Sequence, residues 1–71
     1  MNTTEKTVAI IRIRQLADKY GISKSEIKDR TGLSWPTVNK VIKHGNHSIT
    51  DANLKSILSA VERVESERNM I

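Results

Sequence analysis

Within a stretch of four residues, Thr37, Asn39 and Lys40 carry groups that suit the edges of nucleic-acid bases. A lysine ammonium donates to guanine O6 and N7. A carboxamide makes a paired contact to adenine. A threonine offers its methyl to thymine or its hydroxyl to a phosphate. Val38, Val41 and Ile42 recur among them at helical spacing, so one side of the helix can face a core while Thr37, Asn39, Lys40 and Lys43 face outward. Trp35 opens the stretch. Its indole can pack on the sugar-phosphate or a thymine methyl, or stack on a neighbouring helix as a partly buried anchor. Two other constellations carry less. His44-x-x-His47 with Asp51 has metal-like spacing, but small structural zinc sites want three or four ligands, usually with cysteine, and the chain has none. No nucleophile–base pair stands out, and neither histidine sits in an apolar setting that would tune it. The sequence therefore predicts no cofactor, no metal and no catalysis.

The elements that would position these residues begin with Ser23–His44, which reads as helix, tight turn, helix. Ser23-Lys-Ser-Glu26 is an S-x-x-E capping box opening a helix of about Lys24 to Thr31. Thr31-Gly-Leu-Ser34 is the turn, and Gly32 supplies a positive φ at low cost. The next helix starts either with Ser34 as N-cap, which puts Pro36 second, or with Pro36 itself first. It runs to about Lys43. Ile27, Val38 and Val41 must meet beneath the turn. Upstream, Thr7 to Tyr20 reads as a helix burying Ala9, Ile10, Ile13, Leu16, Ala17 and Tyr20, closed by Gly21. A short strand over Val8–Ile13 is the rival reading. Val8 and Ile11 fall on the polar side, where Ile11 is either a partner contact or a scattered surface residue. Residues 1–6 show no periodicity and read as a flexible arm. After a polar loop from His44, a last helix over 50–68 carries Leu54, Ile57, Leu58, Val61 and Val64 as a regular stripe. Asp51 with Lys55, and Arg63 with Glu67, form i,i+4 pairs.

The chain has 71 residues and a net charge of +4, from twelve Lys and Arg against eight Asp and Glu. That length allows one domain, spanning residues 1–71, and buries only about 60% of the unfolded surface, so a monomer would be marginal and a dimer would help. No apolar run approaches the ~20 residues of a membrane span, and the location expected is the cytosol. The charge is unevenly placed. From Lys19 to Lys43 there are six basic residues and two acids, whereas from Asp51 to Ile71 there are three basic residues and four acids. The positive excess sits on the helix-turn-helix stretch, which suits a polyanionic partner.

Together, Leu16-Ala-Asp-Lys-Tyr-Gly-Ile-Ser, Thr31-Gly-Leu-Ser, Thr37-Val-Asn-Lys-Val-Ile-Lys-His-Gly and Leu54-Lys-Ser-Ile-Leu-Ser-Ala-Val61 resemble the lambda-repressor-like helix-turn-helix family of XRE, Cro and CI proteins. The likeness covers Ile13–Val61, about two-thirds of the chain, and rests on combined spacing rather than on any single motif. It implies an all-α, compact four- to five-helix fold and a Cro-like repressor acting as a homodimer on a palindromic double-stranded DNA operator. The family's base-reading positions, carried over, are Ser34, Trp35, Pro36, Thr37, Asn39 and Lys40. Candidate phosphate contacts are Ser23, Lys24, Lys43, His44 and Asn46. Lys28 departs from the pattern, which places a small alanine there; its stem can lie along the helix crossing with the amine reaching out. The candidate dimer contact is Leu58, Val61, Val64 and Ile71. The rival reading is an antitoxin or plasmid-maintenance regulator that binds a protein partner and represses its own operon.

Overall fold

The computed structural model describes residues 1–69, so Ile71 of the expected dimer contact lies outside the described residues. Those residues form four α-helices and no strand: α1 Thr3–Lys19, α2 Lys24–Thr31, α3 Trp35–Ile42 and α4 Asp51–Asn69. The Val8–Ile13 run is helical. Its β-branched residues are overridden by the buried side of α1, where Ala9, Ile10, Ile13, Leu16 and Ala17 all enter the core. Tyr20, the last residue of that predicted face, is half-buried.

α1 starts earlier than its apolar pattern. The Asn2 side chain accepts from the Glu5 amide at 2.8 Å and the Glu5 carboxylate reaches back to the Asn2 amide, a complete capping box. The expected flexible arm is thus replaced by the first turn of α1. Lys6 adds a tether, donating to the carbonyls of His47 at 3.1 Å and Ile49 at 2.7 Å. It also lies 3.6 Å from Asp51, whose carboxylate pairs with the Met1 ammonium.

α1 and α4 run in the same direction. Asp51 is beside Lys6, Arg12 pairs with Glu62 at 3.0 Å and Glu65 at 3.3 Å, and the Tyr20 hydroxyl donates to Asn69 at 3.2 Å. α2 crosses to α4 through Arg30, which meets Glu67 with two bonds of 2.8 and 3.1 Å and Glu26 at 3.2 Å. Neither expected i,i+4 pair forms among the described residues: Asp51 turns to the amino terminus and Glu67 to Arg30, because the neighbouring helices present cations to both.

One core joins all four helices, with Ile13, Ile27, Val38, Val41, Leu54, Ile57 and Val61 fully buried. This overturns part of the expected dimer contact. Val61 is 0% and Val64 1% exposed, because the α4 stripe faces α1 and α2 within the same chain. Leu58 is only half-buried and packs at the edge of that core.

Candidate nucleic-acid interface

α2 and α3 are joined through Gly32, which takes φ 72° with its amide donating to the Lys28 carbonyl at 2.8 Å. A side chain there would meet no atom within 4 Å, so glycine is needed for its backbone angle alone. Thr31 stiffens the turn. Its hydroxyl donates to the Ile27 carbonyl at 2.8 Å and accepts from the Leu33 amide at 3.3 Å. Beneath the turn Ile27, Val38 and Val41 are each 0% exposed, the meeting that the sequence pattern requires.

Ser34 is the N-cap residue of α3 and Pro36 falls second in the helix, the first of the two placements open to the sequence. The Ser34 hydroxyl does not cap the backbone; it pairs with the Thr37 hydroxyl at 2.9 Å. Ser34, Trp35, Pro36 and Lys40 are exposed, and Thr37 is half-buried on the flank. Asn39 differs from its expected outward role. It is half-buried, and its carboxamide oxygen is shielded from solvent without a hydrogen-bond partner. A paired contact to adenine needs both carboxamide atoms, so Asn39 would have to rotate its side chain first. Asn39 lies one turn beyond Trp35, between the buried side of α3 and its open face, and helical period alone does not settle which way such a border residue turns.

The ion pairs take up only some of the cations. Among the described residues, the ion pairs employ Lys6, Arg12, Arg30 and Arg68 against Glu26, Asp51, Glu62, Glu65 and Glu67. Lys24 and Lys28 on α2, Lys40 on α3 and Lys43 just after it enter none of these pairs. Five of the eight acids enter these pairs; Asp29 on α2 does not, so among the described residues α2, α3 and Lys43 together hold four unpaired lysines against one unpaired acid. Hydrogen bonds from Arg30 hold the Glu67 carboxyl below the ordinary carboxylate range and, reciprocally, raise the Arg30 guanidinium. The amino terminus does the same to Asp51.

The framing residues are also placed. The Ser23 oxygen accepts from the Glu26 amide at 3.0 Å, which leaves its hydroxyl proton for an outside acceptor. The capping box of α2 is only half made, since Glu26 turns to Arg30 and Arg68. Lys24, Lys43 and His44 are exposed. Asn46, also exposed, uses its side-chain oxygen to accept from the Ser48 amide at 2.9 Å and order the loop after α3. That loop meets α1 at Gly45, where φ is 59° and an added Cβ would lie 2.9 Å from the Arg14 guanidinium. The metal-like trio does not assemble: His47 Nε2 is 2.7 Å from the Thr7 hydroxyl, and Asp51 is engaged elsewhere. Among the described residues no group of three or more potential ligands could hold a metal ion.

Sequence reasoning missed one coupling. The Lys28 ammonium stands 5.6 Å from the centre of the Trp35 ring, a cation–π contact across the α2–α3 junction. The departure at Lys28 was legible in the sequence; its partner was not, because only the fold brings position 28 over position 35. A concavity of about 850 Å³ lies away from α3, between the end of α2 and α4, and is lined by Arg30, Ser56, Ser59 and Arg63 among others. Among the described residues no helix is long and apolar enough to cross a membrane. In comparison with known proteins, no family model, curated protein or solved structure matches the chain.

Proposed function

We propose that the chain is a lambda-repressor-like helix-turn-helix protein of the bacterial cytoplasm that binds double-stranded DNA sequence-specifically and regulates transcription. α3 enters the major groove, and a homodimer reads a palindromic operator whose half-sites lie about one helical turn apart. The outcome is Cro-like repression: occupying the operator excludes polymerase, and the control variable is protein concentration. One observation carries this reading. A short helix fixed by wholly buried Val38 and Val41 presents Pro36, Lys40 and Lys43 outward, and neither lysine enters an ion pair among the described residues. Lys40 reads bases, with Trp35 and Thr37 on the flanks. Ser23, Lys24, Lys43 and His44 hold phosphates.

The test is selection from random duplexes at several salt concentrations. A recovered motif with two-fold symmetry, and binding that weakens as salt rises, support the proposal. Recovery of no motif defeats it.

A second reading has its own support. Val8 and Ile11, one turn apart on the outer side of α1, are 60% and 49% exposed. An antitoxin or plasmid-maintenance regulator would use such a surface for a protein partner while still binding DNA through α3. Co-purification of a stoichiometric partner from the native host favours it over the simple repressor.

A further inference from the structure

Of the large apolar side chains that remain exposed, Val8 and Ile11 stand on α1, and nothing in the structure shows what covers them. Trp35 is different. It is 45% exposed, it is the only tryptophan, and it sits at the first position of α3 beside that helix's open face. A wide indole half in water, with the ammonium of Lys28 5.6 Å from its centre, is best covered by an apolar group on an otherwise anionic partner. Base edges in the major groove offer one such group, the C5 methyl of thymine.

Lys28 explains how the ring is held. It is half-buried on α2, and its ammonium reaches the ring of Trp35 at 5.6 Å. Ring faces attract cations, and the attraction strengthens as water leaves. Lys28 meets no carboxylate among the described residues, so the ring is its partner and its charge stays available to a nearby phosphate. α2 thereby clamps a side chain of α3 that would otherwise be free to turn about two torsions.

We infer that Lys28 is a positioning residue that holds the Trp35 indole for contact with a thymine methyl, making the Lys28–Trp35 pair a specificity determinant of the α3 surface. This rests on the DNA-binding reading above.

The experiment uses the full chain and the motif recovered by selection. Each thymine of the motif is replaced in turn by uracil, which removes only the methyl. One thymine per half-site should weaken wild-type binding about fourfold on replacement, the effect of one buried methyl-sized group. Lys28→Ala should reduce that thymine-to-uracil ratio to below about twofold, whatever it does to total affinity, while Lys28→Arg, whose guanidinium also stacks on indole, should preserve it. Time-resolved anisotropy of the single tryptophan in the free protein should show faster ring motion in Lys28→Ala and not in Lys28→Arg. Circular dichroism confirms that each variant is folded, and alanine is the small residue that suits the crossing. A specific motif bound without any thymine-to-uracil effect overturns the inference and leaves the DNA-binding reading standing, with Trp35 on the sugar-phosphate. A uracil effect unchanged by Lys28→Ala overturns the role of Lys28. Failure to recover a motif overturns both.

Discussion

Lys40 stands on the open face of α3 between Pro36 and Lys43, with no acid of its own chain to hold it. In the proposed complex it is the residue best placed to donate to guanine. Lys40→Ala is expected to lose about 1–3 kcal/mol of discrimination at one base pair of each half-site, measured as the affinity ratio between the selected motif and its single-base variants. Lys24 and Lys43 belong to the frame, so their replacement by alanine should weaken binding to all sequences alike. The slope of log affinity against log salt should become shallower by about 0.9 for each phosphate that is no longer neutralised, and a variant that changed base preference with no change in slope would contradict this division of roles. Exposure at Lys40 and Lys43 was legible in the sequence because helical period puts them opposite Val38 and Val41, and exposure at Lys24 because it opens α2. Asn39 was not, since it lies at the border of the two faces and its carboxamide oxygen is turned inward.

Gly32 is the element-scale counterpart. Its left-handed φ of 72° sets the α2–α3 turn, and the surrounding space is empty, so the cost of a side chain is backbone strain alone. Gly32→Ala is expected to lose about 1–2 kcal/mol in denaturant unfolding. Gly32→Asn should recover part of that loss, because asparagine tolerates the left-handed region better. The clasp between α2 and α4 predicts a pH response. Arg30 lowers the pKa of Glu67 from the ordinary 4.5, so the folded chain holds this carboxylate more firmly than the unfolded chain does. The stabilisation is fully present above that value and is lost below it, as pH falls through the lowered value of the folded state. Glu67→Gln should therefore flatten the acid limb of the stability profile below pH 4.5 and leave its neutral part unchanged in slope. The pair is exposed, and salt should shrink the difference. The core stripes of α1 and α4 could be read from period 3.6. What faces them could not. The α4 stripe is as regular as a dimer seam would be, and only the tertiary packing assigns Val61 and Val64 to the interior. The early start of α1 was encoded too, in Asn2-x-x-Glu5, a cap signal ahead of any apolar residue of the helix.

At the scale of the molecule, the Cα radius of gyration is 11.2 Å, close to the value of about 11 Å expected for a compact domain of this length. Stability for such a chain is about 4–11 kcal/mol. The loss of one fully buried side chain, as in Ile27→Ala, removes about 2–5 kcal/mol of it. Thermal unfolding should then begin near physiological temperature, whereas surface lysine variants should leave the midpoint almost unchanged. With three phosphates held per subunit, the proposed dimer should show a salt slope near −5; a slope half as steep would mean one subunit on DNA. The parallel pairing of α1 with α4 has a consequence in time. These helices join the two ends of the sequence, and α4 also clasps α2, so the angle between α2 and α3 lacks part of its support until α4 has been made. A chain growing at about 5–20 residues per second releases α2 and α3 from the ribosome before the residues that brace them. Under the proposed function, competence to grip DNA would therefore arrive late and all at once. Nascent or prematurely terminated chains should be poor competitors for the operator, and a stop codon before Leu54 should behave as a simple loss of function.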